Sequence, residues 1–175
     1  MGMVQTTRFD SPIGELTLAS TEKGLAYLGL PRANGRGFAG WQRRHAPDES
    51  VSECRQQNAK AIKQVIEFLE GKRQAFDLKL DLRATPFQLS VYGILEAIPY
   101  GEAISYAEVA RRLGRPSASR AVGAANGSNP LPLVVPCHRV VAAGGQLHGY
   151  AGGVDLKARL LAMESATCPA AGQLF

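Results

Sequence analysis

Residues 105–127 read Ser105-Tyr106-Ala107-Glu108-Val109-Ala110-Arg111-Arg112-Leu113-Gly114-Arg115-Pro116-Ser117-Ala118-Ser119-Arg120-Ala121-Val122-Gly123-Ala124-Ala125-Asn126-Gly127. Ser105 stands three residues before Glu108, the spacing of a capping box, and Val109, Ala110 and Leu113 carry a helix to Gly114. Arg115-Pro116 turns the chain, and Ser117 is placed to cap a second helix from Ala118 to about Asn126. Helix, tight turn with Gly and Pro, helix is the pattern of a helix-turn-helix.

The same helical grammar begins at Thr85. Thr85-Pro86-Phe87-Gln88 is another capping box with Pro at the first helical position, and Phe87, Val91, Ile94, Leu95 and Ile98 form an apolar stripe. Pro99-Tyr100-Gly101 stops that helix. A last helix is predicted from about Asp155, with Leu156, Leu160 and Leu161 as its stripe.

Before Thr85 the chain is β-rich. Val4–Phe9, Glu15–Ala19 and Leu25–Leu30 read as strands separated by Ser11-Pro12-Ile13-Gly14 and Thr21-Glu22-Lys23-Gly24 turns. A Gly-, Arg- and Asn-rich loop from Pro31 to about Asp48 follows, then a helix over Ser52–Leu69. Phe76–Leu82 alternates and predicts one more strand with a single buried face. The fold class is therefore α+β. An N-terminal sheet-plus-helix domain spans 1–83, and a mostly helical C-terminal domain with a winged-helix-like helix-turn-helix spans 84–175.

The second helix of the pair carries almost only small side chains around Arg120. A helix that reads base edges in the major groove offers several long polar side chains. This one offers a smooth surface and a single cation, suited to close approach to a backbone or a narrower groove. Arg111, Arg112 and Arg115 lie nearby, within reach of phosphates. Tight packing of small residues in a core is the competing explanation. Gly127-Ser128-Asn129-Pro130-Leu131-Pro132 then predicts a stiff extended link.

The link leads to Val134-Val135-Pro136-Cys137-His138-Arg139-Val140-Val141. A thiol becomes a strong nucleophile as its thiolate, and a neighbouring His can take the proton. Adjacent residues on an extended segment point apart, so Cys137 and His138 need either a local turn or a bridging water. The base also needs an orienting carboxylate. Glu164 lies three and four residues beyond Leu161 and Leu160, beside the apolar stripe. This activation predicts faster alkylation of Cys137 than of Cys54 or Cys168. Cys168 falls in a small-residue tail, Ala166–Gly172, read as poorly ordered.

The chain has 175 residues, 45% hydrophobic, and a net charge of +5. That composition is globular, and the mild positive charge makes a polyanionic partner worth testing. No apolar run approaches a membrane span, and Met1–Asp10 lacks a signal-peptide core. Three cysteines without an export signal point to a reducing, cytoplasmic setting. His45, His138 and His148 form no zinc-binding pattern with the cysteines, and no metal or cofactor is expected.

Together these residues resemble the O6-alkylguanine-DNA alkyltransferases. The resemblance rests on Pro136-Cys137-His138-Arg139-Val140, Arg120-Ala121-Val122-Gly123, Asn129-Pro130, Gly149-Tyr150-Ala151-Gly152-Gly153 and Leu160-Leu161-Ala162-Met163-Glu164, and covers about residues 85–165. It implies a ribonuclease H-like N-terminal domain and a C-terminal DNA-binding and alkyl-acceptor domain. It implies irreversible transfer of an alkyl group from O6 of guanine, and less readily O4 of thymine, to Cys137. By the same resemblance His138 deprotonates Cys137 through water and Glu164 orients His138. Tyr106 helps to rotate out the nucleotide, Arg120 fills the gap in the stack, and Asn129 braces the loop. Arg115, Ala121, Gly123 and Tyr150 complete the DNA- and substrate-binding set. The partner would be double-stranded DNA carrying O6-alkylguanine, bound by a monomer associated with the nucleoid. Tyr92, Ala143 and Ala151 depart from the family pattern. A helix-turn-helix regulator with a redox-sensing cysteine and a Cys–His hydrolase remain alternatives.

Overall fold

The computed structural model describes residues 2–31, 37–147 and 149–167. His148 and Cys168 lie outside these residues, as does 32–36 of the loop after Pro31. The chain divides into two compact units, Met1–Ala84 and Thr85–Phe175.

The first unit is built on a four-stranded sheet of order β3-β2-β1-β4. β1 (Met3–Ser11), β2 (Gly14–Thr21) and β3 (Gly24–Gly29) form an antiparallel meander, and β4 (Ser50–Glu53) pairs parallel to β1. Between β3 and β4 runs α1 (Gly37–His45), whose Trp41 packs with Val4, Ala19, Ala26 and Tyr27. α2 (Ala59–Leu69) follows β4 and buries Ala61, Gln64, Val65 and Phe68, an i, i+3, i+4, i+7 face, with Ile62 and Leu69 beside it.

The stretch from Pro31 to about Asp48, expected to be a loop, carries α1 over Gly37–His45, and two more segments differ from expectation. The helix predicted over Ser52–Leu69 begins only at Ala59, because Ser50–Glu53 is a strand whose edge position leaves all four residues exposed. Cys54 thus precedes the helix, its N–H donating to the Thr6 carbonyl. Phe76–Leu82 is not a ladder strand. It touches β3 through a single bridge between Leu25 and Leu80, with Leu25 N–H donating to Lys79 O and Asp81 N–H to Leu25 O. Its alternation is real in burial, since Phe76, Leu78 and Leu80 are half-buried while Asp77 and Lys79 are exposed. The segment passes so close at Gly24, φ +145°, that a Cβ there would meet the Lys79 carbonyl oxygen.

The second unit is helical. α3 (Pro86–Glu96) has the reciprocal capping box, Gln88 N–H donating to Thr85 Oγ1 and Thr85 N–H to Gln88 Oε1. The two-residue strand β5 (Ile104–Ser105) runs into α4 (Tyr106–Arg112), which Ser105 caps by accepting from Glu108 N–H. Gly114, at φ +74°, ends that helix in the left-handed region. α5 (Ser119–Gly127) packs against α3 and α4. It starts after Ala118 without a side-chain cap, so the capping role expected of Ser117 is not used. β6 (Val140–Val141) pairs parallel with β5. α6 (Val154–Thr167) closes the described chain and takes Ala166 and Thr167 into regular structure, in place of the poorly ordered start of a tail.

Candidate active site and nucleic-acid interface

Cys137, His138 and Arg139 form one turn of 3-10 helix between the link and β6. The local turn, rather than an extended run, is what the neighbouring thiol and imidazole adopt. The link itself is coiled. Leu133 has φ +74°, a strained value for a branched side chain, and it is held there by its surroundings. Asn129 Nδ2 donates to the Val135 carbonyl and its Oδ1 accepts from Leu131 N–H, while Val135 N–H donates to Leu131 O.

His138 is fully buried, and its Nε2 lies 2.6 Å from Glu164 Oε2. Glu164, 1% exposed, receives three further hydrogen bonds. Arg139 Nε donates to Oε1 at 2.8 Å, Arg139 Nη2 to Oε2 at 3.1 Å, and Gly101 N–H to Oε1 at 3.1 Å. Arg139 is itself fixed by donating to the Ile98 carbonyl and lying over the Tyr100 ring. Burial alone would raise the Glu164 carboxyl, but the hydrogen bonds and charges of His138 and Arg139 overrule it and hold the pKa at about 2. An ionised carboxylate accepts, so Nε2 carries the ring proton and thiol deprotonation must proceed through Nδ1. Burial, only partly opposed by Glu164, lowers the His138 pKa, so the ring is neutral and able to act as a base.

Cys137 is 4% exposed, and burial pushes its thiol up to about 11. A thiolate in this position therefore depends on groups that offset the loss of water. The Asn129 side chain, by a hydrogen bond, and the Lys157 charge pull in that direction. Tyr150 is buried within electrostatic reach of Cys137 and Glu164.

Tyr106 is half-buried at the first position of α4, under the ammonium of Lys157 at 5.7 Å. On α5 the buried face is Val122, Ala125 and Asn126, and the exposed face is Arg120, Ala121, Ala124 and Gly127. Tight packing of small residues thus accounts for one side of this helix, and the side with Arg120 is open to solvent. Gly123 is half-buried, and a Cβ there would stand 4.0 Å from Tyr106 Cδ1, an ordinary contact. Arg115 is exposed with its guanidinium over Phe87. Arg111 and Arg112 are less free for phosphates than expected, since both pair with Glu108 and draw its carboxyl down to about 2. The buried Tyr92, in the position that departs from the family, donates its hydroxyl to the Ala125 carbonyl.

Sequence reading passed over two site residues. Arg139 stands in the Pro-Cys-His-Arg motif, where nothing local signals its bonds to Glu164. Lys157, with Leu160, Leu161 and Glu164, occupies the i, i+3, i+4, i+7 face of α6, and the stripe was placed on Leu156 instead. Lys157 is fully buried and Leu156 only half-buried. Its ammonium favours the thiolate, so Lys157→Met is expected to move the pH profile of Cys137 alkylation by iodoacetamide to higher pH. At neutral pH the rate should fall about tenfold, the worth of one pKa unit. An unmoved profile would remove Lys157 from the site.

Residues 4–82 match the model for the 6-O-methylguanine DNA methyltransferase ribonuclease-like domain, and residues 86–166 match the DNA-binding domain of the same protein family. The methylated-DNA–protein-cysteine methyltransferase of Mycolicibacterium paratuberculosis is 42% identical over 174 residues, 99% of each chain.

This chain belongs to the methylated-DNA–protein-cysteine methyltransferase family.

The relative of that name from Methanosarcina acetivorans is 43% identical and covers 89% of this chain and 95% of its own. The structure of Mycobacterium tuberculosis OGT in complex with DNA superposes with a TM-score of 0.80 at 39% identity, covering 95% of this chain and 96% of that one. The ribonuclease-like fold of the first unit and the helix-turn-helix fold of the second are those of this family. Among the described residues no helix is long and apolar enough to cross a membrane.

Proposed function

We propose that this methyltransferase repairs DNA by moving a methyl or larger alkyl group from O6 of guanine, and less readily O4 of thymine, onto Cys137. The observation that carries the reading is that the buried Cys137 shares one turn with His138 and Arg139, both of which bond the buried Glu164, and that this turn follows directly on the link from α5. An O6 substituent inside a duplex is out of reach, so the base is first extruded, at about a few kcal/mol. Arg120, on the exposed face of α5, fills the gap, and Ala121 and Gly123 let the helix approach the backbone closely. Arg115 contacts phosphate. Tyr106 and Tyr150 line the space for the extruded base, and Asn129 holds the link that delivers the thiol. The DNA-binding and alkyl-acceptor work falls to 84–175, and 1–83 is the N-terminal sheet-plus-helix domain.

In the chemical step the thiol proton passes through a bridging water to His138 Nδ1, and the imidazolium is stabilised by Glu164. The sulfur forms a bond to the alkyl carbon as the carbon–O6 bond breaks, its electron pair going to the guanine oxygen and ring. The product is a thioether with no leaving route, so each molecule reacts once. The reaction needs no cofactor. We place the protein in the cytoplasm, on the nucleoid when bound, as a monomer.

Titrating the protein with excess O6-methylguanine duplex tests this. Demethylation should stop at one lesion per protein molecule. Continued turnover, on this DNA or on ester or peptide substrates, would favour a Cys–His hydrolase. A redox-sensing regulator needs base-reading side chains, and the exposed face of α5 carries only Arg120 as a long one.

A further inference from the structure

Asn126 lies on the buried face of α5 and is 3% exposed. Its Nδ2 donates to the carbonyl of Cys137 at 3.3 Å. Its Oδ1 is buried and accepts no hydrogen bond. A buried acceptor without a partner costs about 1–3 kcal/mol. Its companions on that face are Val122 and Ala125, so an apolar side chain would suit the packing better. The fold therefore carries Asn126 at a cost, and the one bond returned for it is to the nucleophile's own peptide.

We infer that Asn126 is a positioning residue for the alkyl-acceptor turn, locking the Cys137 peptide to the helix that carries Arg120. The anchor at the helix end is firm, because Tyr92 on α3 donates to the carbonyl of the preceding residue, Ala125. The backbone of Cys137 is then held on both sides, its N–H donating to Val135 O at 2.8 Å and its C=O accepting from Val140 N–H within the turn and from Asn126 on the helix. Val135 O in turn accepts from Asn129. Two asparagines three residues apart thus share one task, Asn129 holding the link and Asn126 the reacting residue. In-line attack on a small alkyl carbon tolerates little displacement of sulfur, so a loosened Cys137 peptide slows the chemical step without weakening DNA binding. The role rests on the reading of Cys137 as the acceptor.

The test is single-turnover methyl transfer from an O6-methylguanine duplex over a range of protein concentrations, which separates the limiting rate from the apparent Kd. Asn126→Leu and Asn126→Asp are each expected to lower the limiting rate tenfold or more, on the order of the loss for a sub-ångström to ångström misplacement, with Kd within about twofold. The melting temperature of Asn126→Leu should equal or exceed that of the wild type, since the orphaned acceptor is gone. Asn126→Asp keeps the shape, and a protonated carboxyl can donate to the same carbonyl. Its limiting rate, relative to wild type at each pH, should therefore recover as the pH falls. A merely structural residue would show no such recovery. A wild-type limiting rate in Asn126→Leu, a flat pH ratio in Asn126→Asp, or rate and Kd worsening in step would overturn the inference. Wild-type protein that forms no methyl adduct would sink the functional reading itself, and this role with it.

Discussion

His138→Gln is expected to slow methyl transfer from duplex DNA by about 10²–10⁴-fold, the usual worth of a general base, while DNA affinity stays within about twofold. The thiol it serves is buried and pushed up to about 11, despite the help of Asn129 and Lys157, so it needs a base to take its proton. His138 is buried too, with its pKa below the ordinary 6.5, chiefly through loss of water. It is therefore neutral across the neutral range and accepts a proton without first having to lose one. In the wild type the transfer rate should fall as pH drops below that depressed value, because the base becomes protonated. The variant should lack this acid limb. Stopped-flow transfer rates at several pH values check both points. A variant within about threefold of wild type at neutral pH would show that the imidazole is not the base.

Glu164→Ala should cost about 3–5 kcal/mol of folding stability, the penalty for leaving a buried charge without its partner. Arg139 would keep a buried guanidinium facing no carboxylate, and the His138 and Gly101 donors would lose their acceptor. That is a large share of the roughly 5–15 kcal/mol that holds a domain together. Glu164→Gln should lose less, because an amide oxygen still accepts from Arg139, although its NH2 then opposes the His138 donor. The pH dependence has a definite sign. Glu164 has its pKa lowered from 4.5 to about 2 in the folded protein, so its contribution is present above 4.5 and is lost as pH falls toward 2. Denaturant midpoints for the three proteins at neutral pH and near pH 3 would show the wild type losing this advantage in acid. A Glu164→Ala midpoint equal to wild type would mean that Arg139 finds another partner.

Much of the second unit was legible because its signals are local. Thr85 with Gln88, and Ser105 before Glu108, name helix starts through hydrogen bonds that span three residues. Glu164 was found because its spacing from Leu160 and Leu161 puts it on the buried side of α6. The same spacing includes Lys157, but a lysine on an apolar stripe is ordinarily a reason to shift the stripe, here onto Leu156. The site inverts that rule by placing a cation beside a thiol. What stayed hidden depended on distant partners. Ser50–Glu53 is exposed throughout and becomes a strand only because β1 lies beside it. Phe76–Leu82 alternates like a strand, yet joins β3 through a single bridge. The left-handed backbone of Leu133, held with the help of Asn129, has no sequence signature. Neither does the bond from Asn126 to the Cys137 carbonyl, because its two ends come together only when the link has folded back.

The most direct measurement is the intact mass of the protein after incubation with an excess of O6-methylguanine duplex, followed by peptide mapping. One methylene's increment of mass is expected, on the peptide that contains Cys137, and none in Cys137→Ser. No increment, or an increment carried by Cys54 or Cys168, would contradict the assignment of Cys137 as the alkyl acceptor.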